Sequence, residues 1–249
     1  MAVTLITALY SQSYVSTMSD DSSRVIELKE VTINSTLKTI QQQLVAYYRA
    51  NKNATLEEIM SRLPEVSLIR RGAYGMEPTI RSFSAGQINV LLDGMRIHGA
   101  CTDKMDPVTI YIEPLNLENL QIQTASNGFL SGSSVGGTVN MKMAEPDLNT
   151  NRKLSGSVNS GFQSASKSFY EALQINYAEK KWAVKAGSAY RHNQSYRAGD
   201  GNTVNFSQYE KLNYSFSAKY QPNPFTYIKT DLLADDGWNI GYPALPMDV

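Results

Sequence analysis

Two textures of apolar and polar positions divide the chain: helical and strand periods mix before Pro146, and strict alternation takes over after it. In LKTIQQQLVAYYRAN, Leu37, Ile40, Leu44 and Tyr47 recur at helical spacing and predict a helix with that face buried. A second helix should start at the run beginning Asn53, where Asn53 or Thr55 can cap it and Glu58 stands near its first turn. It should carry Ile59, Met60 and Leu63 and end at Pro64, which cannot continue the backbone hydrogen bonding. Leu28, Val31 and Ile33 alternate like a strand, and further short strands are predicted at 66–69, 79–82 and 88–92. The last of these runs into Asp93-Gly94, a tight-turn signal, and on to Met95, Arg96 and Ile97. Residues 117–123 read as a helical turn passing into a strand, and 132–143 (GSSVGGTVNMKM) as a glycine-rich turn entering another. These elements make an α+β unit.

Past Pro146 five strands of about ten residues are predicted. In 153–162, Leu154, Val158 and Phe162 alternate with Lys153, Ser155, Ser157 and Asn159. Trp182, Val184, Ala186 and Tyr190 alternate with Lys185, Gly187 and Arg191. Along 211–220, Leu212, Tyr214, Phe216, Ala218 and Tyr220 face one way, while Lys211, Asn213, Ser215, Ser217 and Lys219 face the other. Segments 169–178 and 225–234 complete the set, although Glu171 interrupts the first of them. Short turns at 179–181 and 221–224 alternate with longer loops, and aromatic residues sit near strand ends. That layout fits strands crossing a membrane better than a soluble β-sandwich.

Composition narrows the picture further. The 23 basic and 23 acidic residues cancel, which argues against a nucleic-acid partner. No run approaches the roughly 20 apolar residues of a membrane-spanning helix. Cys101 is the sole cysteine, so no disulfide forms within the chain. Residues 2–10 (AVTLITALY) look like the core of a secretory signal without its basic start, so 1–24 is expected to be a signal-peptide remnant and flexible leader. Neither a Gly-x-x-x-x-Gly-Lys phosphate cradle nor a His-Glu-x-x-His metal motif occurs, and two histidines leave little for His-based catalysis. An enzyme is not expected.

Four segments, in order, resemble the TonB-dependent outer-membrane receptors. TLEEIMSRLPEV (55–66) is similar to the leading helix of the family's plug, with Glu65 where glycine is usual. Ile80-Arg81-Ser82 stands where the family has Ile-Arg-Gly, VLLDGMRI (90–97) resembles its Asp-Gly hairpin, and GSSVGGTVNM (132–141) its glycine-rich closing element. The resemblance implies an α+β plug domain over 25–146, followed over 150–249 by antiparallel transmembrane β-barrel strands. A family barrel has about 22 strands, so about five here imply an incomplete barrel and a fragment. It also implies residence in the Gram-negative outer membrane as a multi-pass β-barrel in contact with its lipid. Import would be driven by the TonB–ExbB–ExbD complex pulling on a segment near residues 20–31, with Val25-Ile26-Glu27-Leu28 as the candidate.

The expected cargo comes from GACTDKMDP (99–107). Cys101 and Met105 are four apart, so one helical turn or a tight loop would bring two soft sulfur donors to one side, and softness favours Cu(I). The run resembles the plug loop of the copper-receptor branch, which implies Cys101 and Met105 as copper ligands. YPALPMD (242–248) resembles the barrel segment that adds a methionine, which implies Met247 as a third, although Leu245 stands where that branch has a histidine. His98 is a weaker candidate. Asp103 and Asp106 could tune such a site, Met76 and Met95 are stepping sites or packing residues, Met141 and Met143 read as core, and His192 is placed in an outer loop. The expectation is a copper importer with Cys/Met ligands on the external side. The alternatives are a receptor for a siderophore, haem or cobalamin, or a non-transporting surface receptor on the same scaffold.

Overall fold

A computed structural model describes residues 2–10, 40–50, 54–70, 72–84, 86–101, 105–124, 132–148 and 152–243. The strand expected around 28–33, the TonB-contacting candidate 25–28, Asp103 and Met247 lie outside these residues.

Strand β1 (Ala2–Tyr10) precedes helix α1 (Ile40–Ala50) and the short helix α2 (Leu56–Met60). The face that α1 buries is rotated from the expected one. Val45 is buried, with Leu44 and Tyr48 packed on the same cluster, while Ile40 and Tyr47 are exposed. Periodicity shows that a stripe exists, but the neighbour decides its angle, and here α1 rests mainly on the strand Leu117–Gln123. Helix α2 is nucleated at Thr55: its hydroxyl accepts from the Glu58 amide at 3.3 Å, and the Glu58 carboxylate accepts from the Thr55 amide at 3.2 Å. This reciprocal cap satisfies two donors that the first turn would otherwise leave open.

Strands β2 (Val66–Arg70) and β3 (Met76–Ile80) form an antiparallel pair. The other sheet has the order β5-β4-β7-β6, from β4 (Ile88–Leu92), β5 (Met95–Arg96), β6 (Leu117–Gln123) and β7 (Gly137–Met143). Asp93 and Gly94 both have positive φ, 49° and 81°, as the two-residue turn between β4 and β5 requires. The segment 117–123, expected to begin as a helical turn, is strand throughout, and the turn precedes it as a 3-10 turn at Pro114–Asn116. The long return to β7 makes a parallel pairing with β4, which places Ile88 opposite Gly137. The glycines before and at the start of β7 are demanded by contact. A Cβ on Gly136 would come within 2.3 Å of Phe83 Cβ, and one on Gly137 within 2.1 Å of the Gln123 carbonyl oxygen. Leu56, Ile59, Met60, Ile80, Leu92, Leu117, Leu120, Val139 and Met141 form the core that these elements enclose.

The second half is one antiparallel sheet of order β1-β12-β11-β10-β9-β8. Its strands are β8 (Leu154–Gln163), β9 (Ser168–Ala178), β10 (Trp182–Asn193), β11 (Tyr209–Asn223) and β12 (Thr226–Trp238). The apolar run 2–10, expected to be leader, runs as β1 along β12, pairing Ala2 with Asp235 and Tyr10 with Tyr227.

The sheet's two faces have inverted polarity. Val158, Leu173, Ile175, Tyr214, Phe216 and Ile228 are exposed, whereas Arg191, Lys211, Asn213, Ser217, Lys229 and Asp231 are buried. A sandwich buries its apolar face. A transmembrane barrel does the reverse, turning apolar side chains to lipid and polar ones to its lumen. The fold is therefore an α+β plug followed by antiparallel strands of an incomplete barrel, with the plug against the polar wall.

Candidate functional site

The alternation of β10, β11 and β12 sends a column of charged and amide side chains toward the plug, and the plug answers with its own. Glu113, on the segment that enters the 3-10 turn before β6, is buried between Arg191 and Lys211. Arg191 donates from Nη2 to Glu113 Oε2 at 2.8 Å and from Nε to both carboxylate oxygens at 3.1 Å. It also donates to the Ala54 carbonyl at 2.9 Å, while its guanidinium lies 4.2 Å from the centre of the Tyr170 ring. Lys211 Nζ lies 3.2 Å from Glu113 and 3.4 Å from Asp235, and donates to the Ile110 carbonyl. Burial alone would raise the Glu113 carboxyl, but the Arg191 and Lys211 charges hold it down at about 2. Glu57 sits in the same cluster, near the Lys211 charge but without an ion pair among the described residues. Burial raises its carboxyl, and its Oε1 is buried without a hydrogen-bond partner among the described residues.

Two further rungs lie nearer the short-turn end of the sheet. Lys229 bridges Asp93 at 3.0 Å and Asp231 at 3.2 Å; Asp93 in turn accepts from the Met143 amide at 2.9 Å. Lys219 pairs with Glu145 at 2.6 Å. Between the rungs, Asn116 donates to Asn213 at 3.1 Å and accepts from the Ser215 hydroxyl at 2.8 Å. The plug is thus held along the wall by several polar contacts, joined by an apolar one in which Leu115 packs with Tyr170, Ala172 and Ala189.

At the opposite end, where the longer loops lie, a cavity of about 300 Å³ opens between plug and wall. Arg70, Tyr74, Ser166, Tyr196, Ser207 and Tyr209 are among the residues lining it. Arg70 is exposed, and the Tyr74 and Tyr209 rings lie 4.9 Å apart. Past β12 the chain returns to the plug: the Ala73 amide donates to the Gly241 carbonyl at 3.0 Å, and Tyr242 packs on Gly72.

Cys101 is half-buried and borders a separate plug cavity of about 280 Å³ with His98, Asp106, Pro107, Val108 and Thr109. His98 is exposed and Met105 is partly exposed, while the third expected ligand, Met247, lies outside the described residues. Among the described residues no group of three or more histidine, cysteine, aspartate or glutamate side chains could hold a metal ion. The expectation of copper, as Cu(I), as cargo and ligand of Cys101, Met105 and Met247 is therefore corrected. Two donors four apart can share a turn, but a captured ion needs more donors converging on it, and spacing carries no information about those. Met141 and Met143 are core, and Met76 offers its carbonyl, not its sulfur, to the Thr109 hydroxyl at 3.1 Å. His192 belongs to β10 and not to an outer loop.

Sequence reasoning singled out none of Glu57, Glu113, Arg191, Lys211 or Lys229 as functional. The available signal was the placing of charged residues on the lumen-facing side of membrane strands, where each needs a partner.

The family model of the TonB-dependent Receptor Plug Domain matches residues 32–139. No curated protein matches the sequence. Among solved structures, the chain is similar to the copper transporter OprC, at 22% identity and a TM-score of 0.64, covering 74% of this chain and 28% of that one. It is similar to the FrpB iron transporter from Neisseria meningitidis at 13% identity and a TM-score of 0.62, covering 76% of this chain and 31% of that one. It is also similar to the siderophore receptor PirA from Pseudomonas aeruginosa at 17% identity and a TM-score of 0.53, covering 79% of this chain and 34% of that one. At these identities the likeness is one of fold, and this chain spans about a third of each structure's length. The plug match, the inverted polarity of the sheet and the ionic seating of one on the other agree: residues 32–139 match the plug of TonB-dependent receptors, and the strands after them have the polarity of an outer-membrane barrel wall.

Proposed function

We propose that this chain supplies the gate and part of the ligand entrance of a receptor that imports an anionic iron chelate of the siderophore class, driven by TonB–ExbB–ExbD. The observation that carries the cargo class is the cavity between plug and wall at the longer-loop end. It combines the exposed guanidinium of Arg70, the paired rings of Tyr74 and Tyr209, and the hydroxyls of Ser166, Tyr196 and Ser207. A guanidinium binds the oxygens of an anionic chelate through charge-assisted hydrogen bonds, and aromatic faces take up its flat apolar surfaces. Similar solved structures include an iron transporter, a siderophore receptor and a ferric enterobactin receptor, which supports the same class. The ionic rungs supply the other half of the function. Breaking them, by a pull on the plug, would open a path along a wall that is already polar.

The test is binding to the full-length receptor, with ferric enterobactin and a ferric hydroxamate as probes. One of the two should bind, and Arg70→Ala should weaken it about tenfold, or about 1.4 kcal/mol. Binding of haemin or cyanocobalamin in place of both chelates would overturn the cargo class, as would chelate binding indifferent to Arg70→Ala.

A further inference from the structure

The lipid-facing side of the sheet carries a groove that no plug contact explains. On β10 the outward residues at mid-strand are the small Ala186 and Ser188. Ala186 is flanked by Ile175 of β9 and Phe216 of β11, and Ser188 by Leu173 and Tyr214. All four flanking side chains are exposed, between 42% and 49%. They form two walls standing on strands about 9.6 Å apart, twice the interstrand spacing, with a floor of one methyl and one hydroxymethyl group. The cavity this slot belongs to is about 300 Å³ and continues past Tyr214 and Phe216 to Leu232 and Ala234 of β12. At the longer-loop end the outward Tyr190 of β10 closes the slot, its hydroxyl fixed to Glu210 at 3.1 Å. At the other end the floor continues through Val184 to Trp182, which packs against Tyr177 with ring centres 5.4 Å apart.

A second, independent feature lies directly below that open end. The β9–β10 turn presents Lys180 and Lys181, both exposed, immediately before Trp182. Tryptophan sits at the level of lipid headgroups, and lysines beside it meet phosphate. From Trp182 to Ser188 the strand rises roughly 20 Å, which at the tilt of about 45° usual for barrel strands is a depth of roughly 14 Å. That is about half of a hydrocarbon core of roughly 30 Å, the reach of one leaflet's acyl chain.

We infer that the slot over Ala186 and Ser188 is a binding site for one acyl chain of an anionic glycerophospholipid, whose phosphate lies at Lys180 and Lys181. The short turns of barrels face the periplasm, so the lipid belongs to the inner leaflet. Such a chain is held in one place while the rest of the lipid-facing surface meets exchanging neighbours. This inference is independent of the cargo.

The experiment uses the full-length receptor in nanodiscs doped with phosphatidylglycerol that carries a diazirine on its acyl chain. Photolabelling should concentrate on peptides holding Ala186, Ser188, Tyr214 and Phe216, at least tenfold above Val158 and Phe162, which also face lipid on β8. Uniform labelling would overturn the site. So would cross-links joining two receptor copies through this face, which would make it a protein contact. Ala186→Leu with Ser188→Leu, apolar changes that keep the surface fit for lipid, should bring labelling down to the β8 level. Lys180→Gln with Lys181→Gln should reduce labelling by the phosphatidylglycerol probe at least threefold while leaving that by a diacylglycerol probe unchanged. Equal loss with both probes would remove the phosphate contact from the proposal.

Discussion

Glu113 shows how much one residue can carry at the boundary of plug and barrel. Its carboxylate is buried and shared by Arg191 and Lys211, so removing its charge takes the carboxylate partner from buried Arg191 and leaves Lys211 with Asp235. Breaking a buried pair from one side costs about 3–5 kcal/mol, and Glu113→Gln should lower the stability of the seated plug by that order. Denaturation of the full-length receptor, followed by hydrogen exchange at residues 110–116, would measure it. The pH dependence follows with a defined sign. The Glu113 carboxyl is held at about 2 against an ordinary 4.5, so its stabilisation is fully present above 4.5 and is lost as pH falls toward 2. Glu57 acts in the opposite sense: burial raises its carboxyl, so its contribution is present below 4.5 and fades as pH rises through the raised value. Seating stability that stays flat from pH 4.5 to 2 would show that Glu113 is not the anchor. None of this was legible from the sequence, because Glu113 and Arg191 are 78 residues apart and no local pattern links them. The Cys101–Met105 pair is the converse case. It was local and easy to see, but its spacing could not supply the remaining donors.

Among the elements, those whose information is local were the easiest to read. The Thr55–Glu58 cap, the Asp93-Gly94 turn and the alternation of β11 each depend on residues a few positions apart, and each is present. The buried face of α1 and the parallel pairing of β4 with β7 depend on distant neighbours, and they were missed or left unassigned. The glycines separate the two kinds of constraint experimentally. A Cβ on Gly94 meets nothing within 4 Å, so Gly94→Ala should cost only the left-handed backbone preference, about 1–2 kcal/mol. Gly137 combines a φ of 124° with a Cβ position 2.1 Å from the Gln123 carbonyl oxygen, so Gly137→Ala must push β7 away from the end of β6. Thermal unfolding of the two variants should therefore show a small shift for the first and loss of a cooperative plug transition for the second. Equal shifts would mean that the β6–β7 approach is not a constraint.

On the scale of the whole molecule, one property organises everything else: a sheet whose apolar side is bare and whose charged side is covered. Alternation alone announced two faces, but it could not say which would be covered, since that depends on whether the solvent is water or hydrocarbon. The bilayer reading makes a prediction that a soluble sheet would not. Phe216 and Tyr220 both point outward from β11, and their exposures are nearly equal, 42% and 47%. In water a lysine at either place would cost little, and the two costs would match. In a membrane, Phe216 lies beside the slot at mid-strand, while Tyr220 lies opposite Trp182 near the short-turn rim. A lysine near the bilayer midplane costs about 2–4 kcal/mol and one near the interface about 0–1. Phe216→Lys should therefore lower the folding free energy of the full-length receptor into phospholipid bilayers by about 2–4 kcal/mol, and Tyr220→Lys by no more than about 1. Reversible denaturation from vesicles would read both values. Matching losses would put the outward face in water and undo the assignment of this sheet as a barrel wall. A loss graded with depth would place Phe216 in the hydrocarbon, the condition on which the acyl-chain slot beside it also depends.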